Sequence, residues 1–200
     1  MSSAGFRTSL LTLLAGCAQN AGPLDSSADK DSAELGWGDI EETPGDLDDS
    51  WAANWPSHVT PLGKGARLLQ KLEVGETIPL EWAQQSSVAC FPGTQNEAFE
   101  GPHVLFAVQH SPDRSLIIRA SPAVDVDISL YTLMLGANAY HVPPDISSAV
   151  ACEAELGEGA GLPEEIRLSR AQNPYNVVIG VAGSADHDVG EFLIEIWSED

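Results

Sequence analysis

The residues able to do chemistry are five histidines (His58, His103, His110, His141 and His187) and three cysteines (Cys17, Cys90 and Cys152), set in a strongly acidic chain. The histidines are scattered, and no HExxH pair sets two imidazoles one helical turn apart for zinc. No GxSxG elbow, phosphate loop or GxGxxG turn is present. The best polar cluster is Ser184-Ala185-Asp186-His187-Asp188-Val189-Gly190-Glu191, read as a hairpin loop. There Asp186, Asp188 and Glu191 supply hard oxygens of the kind calcium prefers, although the spacing is not that of an EF-hand. An acidic turn that is simply solvated accounts for the same residues. Asp125 and Asp127 alternate with valines and project from the outer face of a strand, where they serve solubility or edge protection. His141-Val142-Pro143-Pro144 either presents an extended ligand surface or shapes a loop.

Charge narrows the partners. Thirty acids against nine bases give a formal charge of −21. Nucleic-acid binding needs clustered Lys and Arg on phosphates, so it is excluded as a function class. Ten of the acids fall between residues 21 and 50, against Lys30 alone. That stretch has no apolar period and cannot bury enough area to offset chain entropy, which predicts a disordered spacer over 17–60. A flexible coil of about 30 residues spans roughly 30 Å, and self-repulsion lengthens it. An acidic site for calcium or for a basic partner is the alternative reading. Trp37, Trp51 and Trp55 do not suit a pure spacer, and their indoles require a surface on the domain or on a partner.

Leu14-Ala15-Gly16-Cys17 resembles a bacterial lipobox. It follows a short n-region with one cation, Arg7, and an apolar run from Ser9 to Ala15. That run is far below the roughly 18–20 residues that span a bilayer. The resemblance implies removal of residues 1–16, lipid on the Cys17 thiol, and export to a membrane. Ala18 in place of Asp points to the outer one. An acidic surface does not adsorb to anionic lipid, so the acyl chains must supply the affinity, at about 0.8 kcal/mol per buried methylene. With Cys17 assigned to lipid, Cys90 and Cys152 remain as an even pair for an oxidising compartment. Both lie in loop-like stretches, and a disulfide between them would stabilise the fold by on the order of 4 kcal/mol. Nothing near either cysteine suggests the lowered pKa that a catalytic thiol needs.

From about residue 66 to residue 200 the dominant pattern has a period of two. Val126, Ile128 and Leu130 share one face, as do Ile166 and Leu168, then Tyr175, Val177, Ile179 and Val181. Phe192, Ile194 and Ile196 point inward while Glu191, Glu195 and Glu199 point outward. Strands over 103–110 and 115–121 flank the turn sequence Ser111-Pro112-Asp113-Arg114. Residues 68–82 hold one or two more strands around Gly75, although Arg67 to Leu72 also has the makings of a short helix. Pro and Gly sit between these runs, and no βαβ alternation is present. The pattern predicts an all-β domain, an antiparallel jelly-roll-like β-sandwich, over 66–200.

Val104-Leu105-Phe106-Ala107-Val108, Leu116-Ile117-Ile118 and Asp125-Val126-Asp127-Ile128-Ser129-Leu130-Tyr131 resemble segments of the bacterial pre-peptidase C-terminal domain family. Residues 174–181 and 190–196 continue the likeness, which covers roughly residues 99–197. Two features depart from that family: no protease domain precedes the module, and a long insertion over 140–162 holds Cys152. The resemblance implies an exported, non-catalytic module. Together these readings predict a lipid-anchored envelope protein that binds or displays an envelope protein or glycan. The alternatives are an envelope hydrolase with a loop-borne site at His141 or His187, and a surface module stabilised by calcium.

Overall fold

In the computed structural model, the described residues are 37, 40–83, 96–146, 151–153, 160–186 and 189–200, the side chains of Asn96, Cys152 and Glu153 excepted. In chain order they form a one-turn helix α1 (Asp49–Ala52) and strands β1 (Val59–Leu62), β2 (Arg67–Lys71), β3 (Glu76–Thr77), β4 (Pro102–His110), β5 (Ser115–Pro122), β6 (Ile128–Gly136), β7 (Ala151–Glu153), β8 (Glu164–Leu168), β9 (Tyr175–Gly183) and β10 (Glu191–Glu199). Three short 3₁₀ turns complete the regular structure. The strands build two sheets, as the alternation predicts. The first runs β1-β4-β9-β6-β7, with β3 also on β4; the second runs β2-β10-β5-β8.

Between the sheets lies the main core. Val104, Phe106, Val108, Ile128, Leu130, Val177, Ile179 and Val181 come from the first sheet. Leu116, Ile118, Ile166, Phe192, Ile194 and Ile196 come from the second. The outer face of the second sheet carries exposed Arg119, Glu165 and Arg167, so β8 alternates cleanly, while Ile117 and Leu193 on the same face are buried as well. Arg67 and Lys71 on β2 stand directly opposite Glu195 and Glu191 on β10, and each pair closes to 3.1 Å.

The first sheet is different, because both of its faces are buried. Leu105, Ala107, Tyr131, Leu133, Val178 and Ala182 form a second core on the side away from the sandwich. Strands buried on both faces read as continuous apolar runs. That explains why β4 and β9 lack the one-sided pattern of β10.

This second core is covered by the segment expected to be spacer. Asp48 caps α1, accepting from the Ser50 and Trp51 backbone N–H groups at 2.8 and 3.2 Å, and thereby aims the Trp51 indole at the sheet. Trp51 and Trp55 are only 8% and 7% exposed. Their rings meet edge-to-face at 5.6 Å, and Trp55 meets Tyr140 in the same way at 5.2 Å. Thr43 and Asp46 bridge to Arg67 and Lys64 beside β2, and Trp37 packs against the main core. The boundary expected at residue 66 therefore falls too late. Buried indole area outweighs the acidic composition that predicts disorder.

Other expectations also need correction. β9 and β10 lie in opposite sheets, so the stretch expected to be a hairpin loop over 184–191 joins the two sheets instead. The turn sequence over 111–114 likewise leads from β4 in the first sheet to β5 in the second. Arg67 to Lys71 is a strand. β1 pairs with β4 in parallel, a departure from a purely antiparallel sandwich. Val124 and Asp125 form a turn, and β6 begins only at Ile128. Cys152 lies on strand β7, opposite Tyr131, rather than in a loop.

Candidate functional site

At one edge of the first sheet, β4 changes partner. β3 pairs with it at Pro102 and His103, and β1 at Leu105 to Val108, so Val104 lies between the two registers. A cleft of about 370 Å³ opens at this junction. Its size falls at the lower end of the roughly 300–1,000 Å³ usual for small-molecule sites. Ser57 and His58 line it from the approach to β1, Thr60 from β1 itself, and Glu76 and Thr77 from β3. Gln70 belongs to the second sheet, and Pro143 and Pro144 come from the loop after β6. Gly75 sets one wall. A Cβ at that position would stand 2.5 Å from the His103 carbonyl oxygen, so only glycine lets the turn after β2 press against β4.

His103 also lines the cleft, but its ring is committed. Nε2 lies 2.8 Å from the Phe99 carbonyl, and Nδ1 lies 2.9 Å from the Tyr131 hydroxyl. A carbonyl only accepts, so Nε2 carries the proton and Nδ1 accepts from the phenol. Burial pushes the imidazole down to about 4, against a smaller opposing effect of the Phe99 carbonyl, and burial raises the Tyr131 phenol. At neutral pH both groups are uncharged. Tyr131 in turn requires Gly180 across β9, where any Cβ would collide with its ring. This chain of contacts holds the sheet together and leaves neither nitrogen of His103 free, while the other imidazole of the lining, His58, is exposed.

The remaining candidate residues are dispersed. His110 is buried at the end of β4, stacked on Tyr175 at 4.7 Å, with Nδ1 donating to the Ser111 carbonyl at 2.7 Å. His141 is exposed and lies outside the cleft lining. Asp186 and Asp127 line the same shallow groove of about 430 Å³, with Glu97 and Glu100. Glu191 does not join them, because it pairs with Lys71 on the second sheet. Among the described residues no three His, Cys, Asp or Glu side chains are grouped to hold a metal. Cys17, Cys90, His187 and Asp188 lie outside the described residues, as does the Cys152 side chain. No helix among the described residues is long and apolar enough to cross a membrane.

Sequence reading missed the cleft because its residues come from four separate stretches. The signals that were present are Pro143-Pro144 and the unexplained indoles of Trp51 and Trp55, which place Ser57 and His58 beside β4.

No protein-family model matches the chain, and no curated protein matches it. Among solved structures, the chain is similar to the pre-peptidase C-terminal domain of a collagenase from Bacillus anthracis. The TM-score is 0.39 at 9% identity, covering 70% of this chain and 96% of that one. It is also similar to Aeromonas hydrophila PliG, a periplasmic inhibitor of g-type lysozyme. There the TM-score is 0.40 at 7% identity, over 71% of this chain and 98% of that one.

Proposed function

We propose that the chain is an exported lipoprotein, anchored through Cys17 to the outer membrane. Its β-sandwich serves as a non-catalytic binding module, with the cleft between β1 and β3 as its ligand site. The observation that carries the binding role is the composition of that cleft. Hydroxyls, an amide and one carboxylate surround aliphatic walls, while the one buried imidazole is spent on Phe99 and Tyr131. Pockets that combine apolar lining with a few placed polar groups are binding sites by default. The lipobox motif supports the anchor, and the Cys90–Cys152 pair supports an oxidising compartment.

The test has two arms. Mass spectrometry of the membrane fraction should find a mature N-terminus at acylated Cys17, and an intact Met1 would remove the anchor from the proposal. The full chain in detergent micelles should capture a ligand from arrays of envelope peptides and glycans. Ser57→Trp, an exposed position on the rim, should abolish that capture. Capture that is indifferent to Ser57→Trp places the binding elsewhere.

A further inference from the structure

We infer that the cleft recognises a primary alkylammonium, the chemistry shared by a lysine side chain and a free aliphatic diamine; this rests on reading the cleft as a ligand site. Three observations converge on that class.

The first is the aliphatic wall. Val74, Ile78, Pro79, Pro143 and Pro144 line the cleft, and Val74 is 63% exposed. An apolar side chain left in water beside a concavity is covered favourably by a methylene stem, at about 0.8 kcal/mol per buried CH₂. No Phe, Tyr or Trp among the described residues lines the cleft, which removes the flat aromatic platform that a sugar ring stacks upon.

The second is the polar end. Glu76 is the one carboxylate in the lining, no Lys or Arg among the described residues accompanies it, and the exposed imidazole of His58 shares the cleft. Ser57, Thr60, Thr77 and Gln70 add neutral oxygens. An ammonium has three donors and no acceptor, so a carboxylate with hydroxyl neighbours satisfies it. An anionic ligand would meet Glu76 with no Lys or Arg among the described residues of the lining to offset it.

The third is the long-range field. A chain of formal charge −21 raises the local concentration of cations and speeds their encounter. That field alone does not select an alkyl stem. The groove lined by Glu97, Glu100, Asp127 and Asp186 feels it equally and lacks the large aliphatic wall. It is therefore the internal control.

The probes are 1,5-diaminopentane, the peptide acetyl-Ala-Lys-Ala-amide and its neutral norleucine counterpart. Each is titrated into the full chain in detergent micelles and followed by amide chemical shifts and calorimetry. The two amines should shift residues 57–60 and 74–79, and the norleucine peptide should bind about tenfold more weakly or less. Glu76→Gln, at an exposed position, should weaken the amines about tenfold, whereas Asp186→Asn should leave them unchanged. Tighter binding of the peptide assigns the site to protein-borne lysine, and tighter binding of the diamine assigns it to free amines. Equal affinity for norleucine overturns the inference, and so does a loss in Asp186→Asn as large as that in Glu76→Gln. If the amines fail while another ligand still binds in a manner sensitive to Ser57→Trp, the alkylammonium class is wrong and the cleft stands. If no array ligand depends on Ser57, the cleft itself is wrong.

Discussion

The indole N–H of Trp51 meets the amide oxygen of Asn176 at 2.9 Å, across 125 positions of chain. The same amide donates to the Ala137 and Ala139 carbonyls at 3.2 and 2.9 Å. One fully buried side chain on β9 thus joins the N-terminal segment, the sheet and the loop after β6. Asn176→Ala strands a buried N–H and two carbonyls, and should cost about 2–4 kcal/mol in urea unfolding. Trp51→Phe loses the donor and some packing. A double-mutant cycle should return a coupling of about 1 kcal/mol or more; additivity would show the contact to be energetically idle.

Stability should fall on mild acidification, and His103 should be the cause. Its folded pKa of about 4 lies below the ordinary 6.5, because burial disfavours the imidazolium. Above pH 6.5 neither state is protonated and the full stability is present. Between 6.5 and about 4 the unfolded chain takes up a proton that the folded chain refuses, so stability drops by about 3 kcal/mol. Below that the His103 contribution is flat. Asp48, held low chiefly by the Ser50 hydroxyl, and Glu199, held low chiefly by Arg167, act in a more acidic window. Unfolding curves at pH 7.5 and 5 should therefore differ, and His103→Gln should remove most of that difference. A slope that survives His103→Gln belongs to another group.

Gly75→Ala should damage the cleft more than its size suggests. The added methyl meets the His103 carbonyl at 2.5 Å, and that carbonyl is sheet backbone that cannot step aside. A cost of about 1–3 kcal/mol is expected in thermal unfolding. The amide shifts of residues 74–79 should move with it. An unchanged melting temperature would show that the turn relaxes freely.

Where the folded unit begins can be measured by truncation. A chain starting at residue 66 keeps every segment with obvious strand alternation, yet lacks Trp51, Trp55, Val59 and Leu62, all of them buried. It uncovers Leu105, Leu133 and Val178 on the first sheet. It should fail to unfold cooperatively and should aggregate through that face. A chain starting at residue 37 should unfold as one transition. Equal behaviour of the two would show that the strap is ornamental.

Legibility in this chain follows solvation. β10 could be read residue by residue because Glu191, Glu195 and Glu199 face water opposite Phe192, Ile194 and Ile196. β4 and β9 were recognisable as strands, but their second buried face was not. Nothing local distinguishes Leu105 or Val178 from the inward residues beside them. The covering segment was hidden by its composition. Its acids remain at the surface while its two indoles carry the packing, and an average over the stretch registers only the acids. The cleft was least visible of all, since Thr60, Gln70, Glu76 and Pro144 meet only after the sheets have formed. That Asp127 and Asp186 line one groove was out of reach for the same reason.

The path of the N-terminal segment has a mechanical consequence. Thr43 exchanges 2.8 Å hydrogen bonds with Arg67 in both directions, Asp46 donates to the Lys64 carbonyl at 2.9 Å, and Trp51 is then locked under the first sheet. A pull applied upstream of residue 37 meets Trp37 on the main core first, then the paired backbone beside β2 and the indole clasp, and reaches β1 only after these have given way. Load is divided between the two sheets before any strand can be peeled from its edge. The segment that composition marks as slack is where tension enters the fold, and its tryptophans are the buckle.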